Sequence, residues 1–135
     1  MLELMKNSSN VSHSGQCHCA EVQFKFTAAT VVDVTHCNCS LCAMTGYEHV
    51  FVPETDLEFI QGQENLALYT FGTHTAQHYF CKTCGIKPLY RPRSHPEAWS
   101  VNLRCVVGGT LNVGKIIDFD GQNWEENIEG LKEQT

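Results

Sequence analysis

The sequence is short of positive charge and of long apolar runs. Its 135 residues contain 9 lysines and arginines against 15 aspartates and glutamates, which gives a formal net charge of -6. Because contacts to phosphate need clustered lysine and arginine, this balance argues against a nucleic-acid partner. No apolar run reaches the roughly 18 to 20 residues of a membrane-spanning helix, and residues 1–14 lack the pattern of a secretory signal. We therefore expect a cytoplasmic protein without membrane or nucleic-acid partners.

Helical periodicity is scarce as well. The sequence shows no apolar stripe at helical spacing beyond a short turn around residues 41–47, and the acidic end, Trp124 to Thr135, is compatible with a frayed helix or a tail. In contrast, Val22, Phe24 and Phe26 alternate with polar residues, which is typical of a half-buried strand. Further strands are predicted at 31–34, 49–53, 57–61, 66–71, 77–80 and 99–107.

These short segments predict a mainly β fold of short strands. Glycines stand between many of the segments, as turns between strands require. The length fits a single domain over 1–135. We expect its core at about 14–122, between a polar N-terminal lead and an acidic C-terminal tail.

Cysteine, unlike the features above, is abundant, with eight residues in the chain. Cytosolic thiols stay reduced, so closely spaced cysteines indicate metal ligands before disulfides. Seven of the eight fall into three groups. The groups are Cys17-x-Cys19, Cys37-x-Cys39-x-x-Cys42 and Cys81-x-x-Cys84-Gly85. A C-x-x-C followed by glycine is typical of a zinc-binding turn, in which two thiolates converge on one ion.

The sizes of the groups predict two different zinc sites in each chain. The two pairs together supply the four thiolates of a closed structural site. Their members are Cys17, Cys19, Cys81 and Cys84. The run of three leaves one coordination position open, which is the pattern of a catalytic zinc. Its members are Cys37, Cys39 and Cys42.

Other uses of these cysteines stay open on the residue pattern alone. They are a disulfide framework, a redox-active C-x-x-C and an iron–sulfur cluster. The eighth cysteine, Cys105, could supply a fourth ligand to the second site. However, Cys105 shares a period-2 face with Trp99 and Val101, and unpaired cysteines are among the most buried residues. We therefore expect Cys105 in the core.

The three cysteine groups in this order resemble the family of glutathione-dependent formaldehyde-activating enzymes, also called S-(hydroxymethyl)glutathione synthases, which includes centromere protein V. The resemblance runs over Gly15-x-Cys17-x-Cys19, the C-x-C-x-x-C run, Phe80-Cys81-x-x-Cys84-Gly85 and Trp99-Ser100-Val101-Asn102. It implies a zinc-stapled β-tent, or Mss4-like, fold of packed antiparallel sheets. It also implies that the two pairs hold the structural zinc and that the run of three holds the zinc where glutathione binds.

The function that this resemblance implies is a carbon–sulfur lyase acting on adducts of a thiol and an aldehyde. The partners would be a small thiol such as glutathione and an aldehyde such as formaldehyde. Free thiols titrate near about 8.5, and zinc at an open position would deprotonate one. Two other classes are a zinc-scaffolded binding module without catalysis and a metal or redox sensor. An exchangeable fourth ligand on the second zinc would distinguish the enzyme from the scaffold, which needs four permanent ligands.

Histidines near the run of three are candidates for proton transfer. His36 precedes the first ligand, and His49 follows the last ligand closely. His78, which alternates with Phe80, is a further candidate to face the site. A histidine in such a place is equally typical of a residue that supports a ligand or lies at the surface.

Positive charges near the last cysteine pair are candidates for binding the carboxylates of glutathione. Arg91 and Arg93 form the best local cluster, with Lys87 close by, and arginine suits carboxylates because its donors form a rigid fork. The alternative is that both arginines are ordinary surface charges.

Overall fold

The computed structural model describes residues 10–132, and within them two sheets contain eleven strands. The strands are β1 (Asn10–Gln16), β2 (Gln23–Ala29), β3 (Val31–Cys37), β4 (Glu48–Pro53), β5 (Leu57–Gln61), β6 (Leu66–Tyr69), β7 (Gln77–Cys81), β8 (Leu89–Arg91), β9 (Ala98–Asn102), β10 (Val106–Val107) and β11 (Asn112–Phe119). Two α-helices, α1 (Ser40–Thr45) and α2 (Trp124–Lys132), accompany them in the described range. No helix among these residues is long and apolar enough to cross a membrane. The mainly β prediction is confirmed.

The sheets have four and seven strands. The smaller sheet has the order β10-β1-β2-β5, and the larger has the order β11-β3-β4-β9-β8-β7-β6. Neighbouring strands pair antiparallel, as predicted, except that β3 and β11 are parallel. Parallel pairing needs a long connection, and most of the chain lies between these two strands.

The core lies between the sheets. Phe24 and Phe26 of β2 face inward, as their alternation predicted, and meet buried residues of β4, β8 and β9. Those residues are Val50, Val52, Leu89, Trp99 and Val101. Burial of each large apolar side chain contributes about 1.5–3 kcal/mol. This packing sets the two sheets face to face and fixes the strand ends that carry the cysteines.

Strand β1 lies in the segment that the sequence indicated as a polar lead. Its two fully buried positions are His13 and Gly15, so no apolar alternation marked it. The His13 ring donates to the carbonyl of Ala29 at 3.0 Å and accepts from the Thr110 hydroxyl at 2.6 Å. Gly15 pairs with Phe24, whose ring occupies the place of a Cβ at residue 15. Residues 1–9 of the predicted lead lie outside the described residues.

The strand predicted at 99–107 is interrupted. After Asn102 the chain forms a single 3-10 turn at Leu103–Cys105, in which the Asn102 side chain accepts from the Arg104 N–H at 3.0 Å. Strands β8 and β11 were not predicted, because β8 has three residues and β11 is mostly exposed at a sheet edge.

The helical alternative for the acidic end is confirmed by α2. Ile128 of this helix is buried against Phe119 of β11. The acidic first turn, with Glu125 and Glu126, complements the positive end of the helix dipole. Residues 133–135 of the predicted tail lie outside the described range.

Gly62 is the glycine that the fold requires most strongly. Its φ is +82°, and an added Cβ would overlap the carbonyl oxygen of Glu21. We expect Gly62→Ala to lower the free energy of unfolding by about 3 kcal/mol, from left-handed strain and from overpacking. Gly109→Ala is the matched control, because Gly109 has φ +68° and nothing within 4 Å of the added carbon.

In the control, the free energy of unfolding should fall by only about 1–2 kcal/mol, which is the cost of the left-handed conformation alone. Urea unfolding followed by tryptophan fluorescence measures both variants. Equal losses at the two positions would show that the overlap with Glu21 is relieved at no cost.

Candidate metal centres

The cysteines converge at two places in the described structure. In each place the Sγ atoms all lie within 4.8 Å of one another. The first group is Cys17, Cys19, Cys81 and Cys84, and the second is Cys37, Cys39 and Cys42. The structure thus brings together the same four and three residues that the sequence predicted. Cys105 belongs to neither group and is buried, as expected for a core residue, with its Sγ 4.0 Å from the Lys87 carbonyl.

The four-cysteine group has the geometry of a tetrahedral thiolate site. The Sγ of Cys19 lies 3.6 Å from that of Cys17 and 3.7 Å from that of Cys81. Sulfurs bound to one zinc at about 2.3 Å stand roughly 3.8 Å apart. Burial opposes ionisation of Cys81, but the backbone N–H groups of Cys84 and Thr83 offset it and lower its pKa to about 6.

The turns that carry this group aim backbone donors at sulfur. The N–H of Val22 points at Cys17 Sγ at 3.4 Å. After β7, the N–H of Gly85 bonds to the Cys81 carbonyl at 2.9 Å, and Gly85 has a positive φ of +78°. This turn is the one that the C-x-x-C-G pattern predicted.

The three-cysteine group is built where β3 passes into α1. Cys37 ends β3, Cys39 caps α1, and Cys42 lies in the first turn of that helix. The pKa of Cys39 is strongly lowered, first by a hydrogen bond from Cys37, whereas the pKa of Cys42 is strongly raised by its hydrogen bonds with the other two sulfurs. Three sulfurs this close therefore need a cation to ionise together.

Asn38 holds the loop at residues 120–122 against this group through hydrogen bonds. Its side chain donates to Asp120 Oδ1 at 2.9 Å and accepts from the Gln122 N–H at 3.0 Å. These hydrogen bonds place Gly121 against Cys37. A Cβ added at Gly121 would overlap the Cys37 sulfur and lie 3.1 Å from Cys39 Cβ. Sequence analysis missed both residues, because their contact joins segments that lie far apart in the chain.

His49 is buried and contacts the group directly. Its Nε2 lies 3.3 Å from Cys42 Sγ, while its Nδ1 meets the hydroxyls of Ser100 at 2.9 Å and Tyr90 at 3.2 Å. Burial, helped by the charge of Lys87, lowers the pKa of His49 to about 3. The imidazole is therefore neutral, and both of its nitrogens are engaged.

His36 lies elsewhere. It is adjacent to Cys37 on β3, so its side chain projects to the opposite face of the strand. There it meets Glu48 at 3.1 Å, in a cluster that also holds Arg104. His36 does not line the cavity beside the three-cysteine group.

A cavity of about 260 Å³ opens beside the three-cysteine group. All three of its cysteines line the cavity, whereas none of the four-cysteine group does. His49 and His78 also line it, together with a set of aromatic rings. The rings are Phe51, Phe71, Tyr90, Phe119 and Trp124. No sequence pattern indicates this wall, because an aromatic residue that lines a cavity has the same spacing as one in a core.

The two arginines expected to act together are separated. Arg93 lines the cavity, pairs with Glu125 at 2.7 Å and lies over the Trp124 ring at 3.6 Å. Arg91 is outside the cavity lining and pairs with Glu54 at 2.6 Å. The structure therefore does not bring the two guanidinium groups to one ligand-binding surface.

Lys87 is a half-buried cation behind the cavity wall. Its Nζ donates to His78 Nδ1 at 2.8 Å and lies 3.9 Å from the centre of the Tyr90 ring. Burial lowers the pKa of Lys87 to about 8, and burial together with the Lys87 charge lowers that of His78 to about 4. At neutral pH the pair is therefore an ammonium donating to a neutral imidazole.

We expect Gly121→Ala to weaken metal binding at the three-cysteine group by roughly tenfold or more, because its methyl group displaces the Cys37 sulfur. Gly72→Ala is the control, since Gly72 lines the same cavity with nothing within 4 Å of an added Cβ. Because Gly72 has φ +61°, its substitution should lower the free energy of unfolding but leave metal affinity unchanged. Cobalt titration of the metal-free proteins measures both sites. The four-thiolate spectrum should persist in both variants, and wild-type affinity at both sites of Gly121→Ala would contradict this role of Gly121.

Comparison with known proteins agrees with this architecture. The family described as "Glutathione-dependent formaldehyde-activating enzyme" matches residues 12–126. A crystal structure of a Rhodobacter sphaeroides protein is similar, with 35% sequence identity and a TM-score of 0.64, over 75% of this chain and 99% of that one. Since the family match spans most of the sequence, this chain belongs to the glutathione-dependent formaldehyde-activating enzyme family, whose fold is Mss4-like.

Proposed function

We propose that this chain is a zinc-dependent carbon–sulfur lyase that forms or cleaves adducts of a small thiol and an aldehyde. The observation that carries the proposal is the placement of the two cysteine groups. The group with three sulfurs lies in the wall of a cavity, and the group with four does not. The group of three therefore borders a space that a small molecule can enter.

The donor sets of both groups suit zinc. Four thiolates at tetrahedral spacing form a closed structural site, and three beside a cavity leave room for an exchangeable ligand. Because the neighbouring sulfurs raise the pKa of Cys42, all three thiols of the smaller group can ionise together only when a cation is bound. Held by Cys37, Cys39 and Cys42, zinc would supply a position at which an incoming thiol loses its proton.

His49 acts as a support for Cys42 in this proposal. With Cys42 ionised as a metal ligand, its sulfur would only accept, so Nε2–H of His49 would donate to it and Nδ1 would accept from a hydroxyl of Ser100 or Tyr90. A histidine with both nitrogens engaged and a pKa near 3 has no capacity to take up a proton at neutral pH. It fixes the orientation of the ligand, as groups behind a metal ligand commonly do.

His78 is the residue that serves the reacting oxygen. When a thiolate adds to an aldehyde, the carbonyl oxygen becomes negative and needs a donor. Because Nδ1 of His78 accepts from Lys87, its proton is on Nε2, and the ring lines the cavity. Lys87 thereby selects the donating tautomer and places a positive charge behind the ring.

The first experiment is the absorption spectrum of the cobalt-substituted protein titrated with 2-mercaptoethanol and with glutathione. We expect a saturable gain in sulfur-to-metal charge-transfer intensity, because a thiol adds one sulfur ligand at the open position. Cys42→Ser should abolish the response, and Cys105→Ser, which removes a cysteine outside both groups, should keep it. An unchanged spectrum at millimolar thiol would identify two closed sites and a scaffold without catalysis.

The pH dependence tests the role of Lys87. The pKa of Lys87 is lowered to about 8, so its charged form dominates below that pH and is lost above it. We expect the zinc-dependent rate of adduct formation to fall as pH rises through about 8. In Lys87→Met the rate should be lower, on the order of tenfold, and should lack this fall. Lys25→Met, at an exposed position on β2, is the control. Matching pH profiles for wild type and Lys87→Met would exclude Lys87 from the reaction.

A further inference from the structure

The walls of the cavity are aromatic and stacked. The His78 ring lies nearly parallel to Tyr90, with centroids 4.8 Å apart, and to Phe71, with centroids 5.4 Å apart. Phe51 lines the wall beside His49, with ring centroids 6.0 Å apart. Such walls favour apolar and aromatic ligand groups, since they offer π faces and few hydrogen-bond partners.

The cavity offers almost no unmatched charge. Of the described residues that line it, Arg93 alone has a permanently charged side chain, and that charge is already paired with Glu125. Of the two lining histidines, His49 has both ring nitrogens engaged by neighbouring side chains, and His78 Nδ1 already accepts from Lys87. Neither an acidic side chain nor a lysine is present in that lining.

Glutathione does not match this lining. It has two carboxylates and an ammonium group, and each charge that enters an apolar cavity without a partner loses several kcal/mol of hydration. Its carboxylates would also approach a chain with a net charge of -6 and a site whose three thiolates would exceed the two positive charges of a zinc ion by one. Arg91, the second arginine expected to bind them, is paired with Glu54 outside the cavity.

We infer that the substrate is a thiol–aldehyde adduct with a small uncharged aromatic or aliphatic group, which the wall of Phe51, Phe71 and Tyr90 receives. This inference rests on the proposed function. In the forming direction, the thiol sulfur bonds to the carbonyl carbon, the C=O π pair moves to oxygen, and the proton of the thiol ends on that oxygen. The cavity volume of about 260 Å³, near the lower end of ligand pockets, suits a small adduct.

The test is a cobalt titration that compares benzyl mercaptan, 2-mercaptoethanol and glutathione by their Kd. We expect benzyl mercaptan to bind at least tenfold more tightly than glutathione, because its ring is buried and it has no other charge to desolvate. 2-Mercaptoethanol, uncharged but without a ring, should lie between them. Loss of the response in Cys42→Ser confirms that binding occurs at the three-cysteine group.

A variant pair tests whether the wall produces this preference. Phe71 is 39% exposed and lines the cavity, so Phe71→Ala should fold. The substitution should raise the Kd of benzyl mercaptan by roughly fivefold or more and leave the Kd of glutathione unchanged. Phe80 is 36% exposed and lies outside the lining, so Phe80→Ala is a matched control and should retain the wild-type Kd values.

The outcomes separate the two proposals. Glutathione binding as tightly as benzyl mercaptan, or a preference that Phe71→Ala leaves intact, would overturn the inference about the substrate and leave the enzyme proposal standing. If no thiol alters the cobalt spectrum of a protein that holds two metal ions, the proposed function and this inference fall together.

Discussion

The fold depends on four cysteine sulfurs that meet between the two sheets. Cys17 and Cys19 come from the turn between β1 and β2 in the smaller sheet, and Cys81 ends β7 in the larger one. Ligation of a shared ion by these residues would add folding free energy to that of the buried core. Because the sulfurs fix the end of β7, they also fix His78, three residues earlier, and with it one wall of the cavity.

The two cysteine groups differ in their surroundings more than in their chemistry. The group of four is closed by backbone donors such as the N–H of Val22 and is outside the cavity lining. The group of three packs against Gly121 on one side, where Asn38 holds the loop in place, and borders the cavity on another. The same ligand atom thus builds one group that joins residues of the two sheets and one that borders a cavity.

The sequence was informative where a function depends on local spacing. The cysteine sets could be predicted because ligand number and separation are legible in three short motifs. His36 could have been separated from the cavity too, since residues adjacent on a strand face opposite ways. The aromatic wall was out of reach because its rings come from segments that lie far apart in the chain, from Phe51 to Trp124. The Lys87–His78 contact spans nine residues, but it depends on how β7 pairs with β8, a strand that was not predicted. Strand β1 escaped detection since a histidine and a glycine fill its inward positions.

In the proposed reaction, the donor set of the three-cysteine group explains why the protein would need a second source of positive charge. An ion bound by three thiolates and a substrate sulfur is electron-rich and polarises a carbonyl poorly, unlike the histidine- and water-bound ions of hydrolytic sites. The oxygen of the adduct must then be stabilised by the protein itself. Lys87, held over the Tyr90 ring and hydrogen-bonded to His78, would provide that positive charge without exposing an ammonium in the cavity. The reacting sulfur and the reacting oxygen therefore have separate partners, which lets the cavity between them stay apolar.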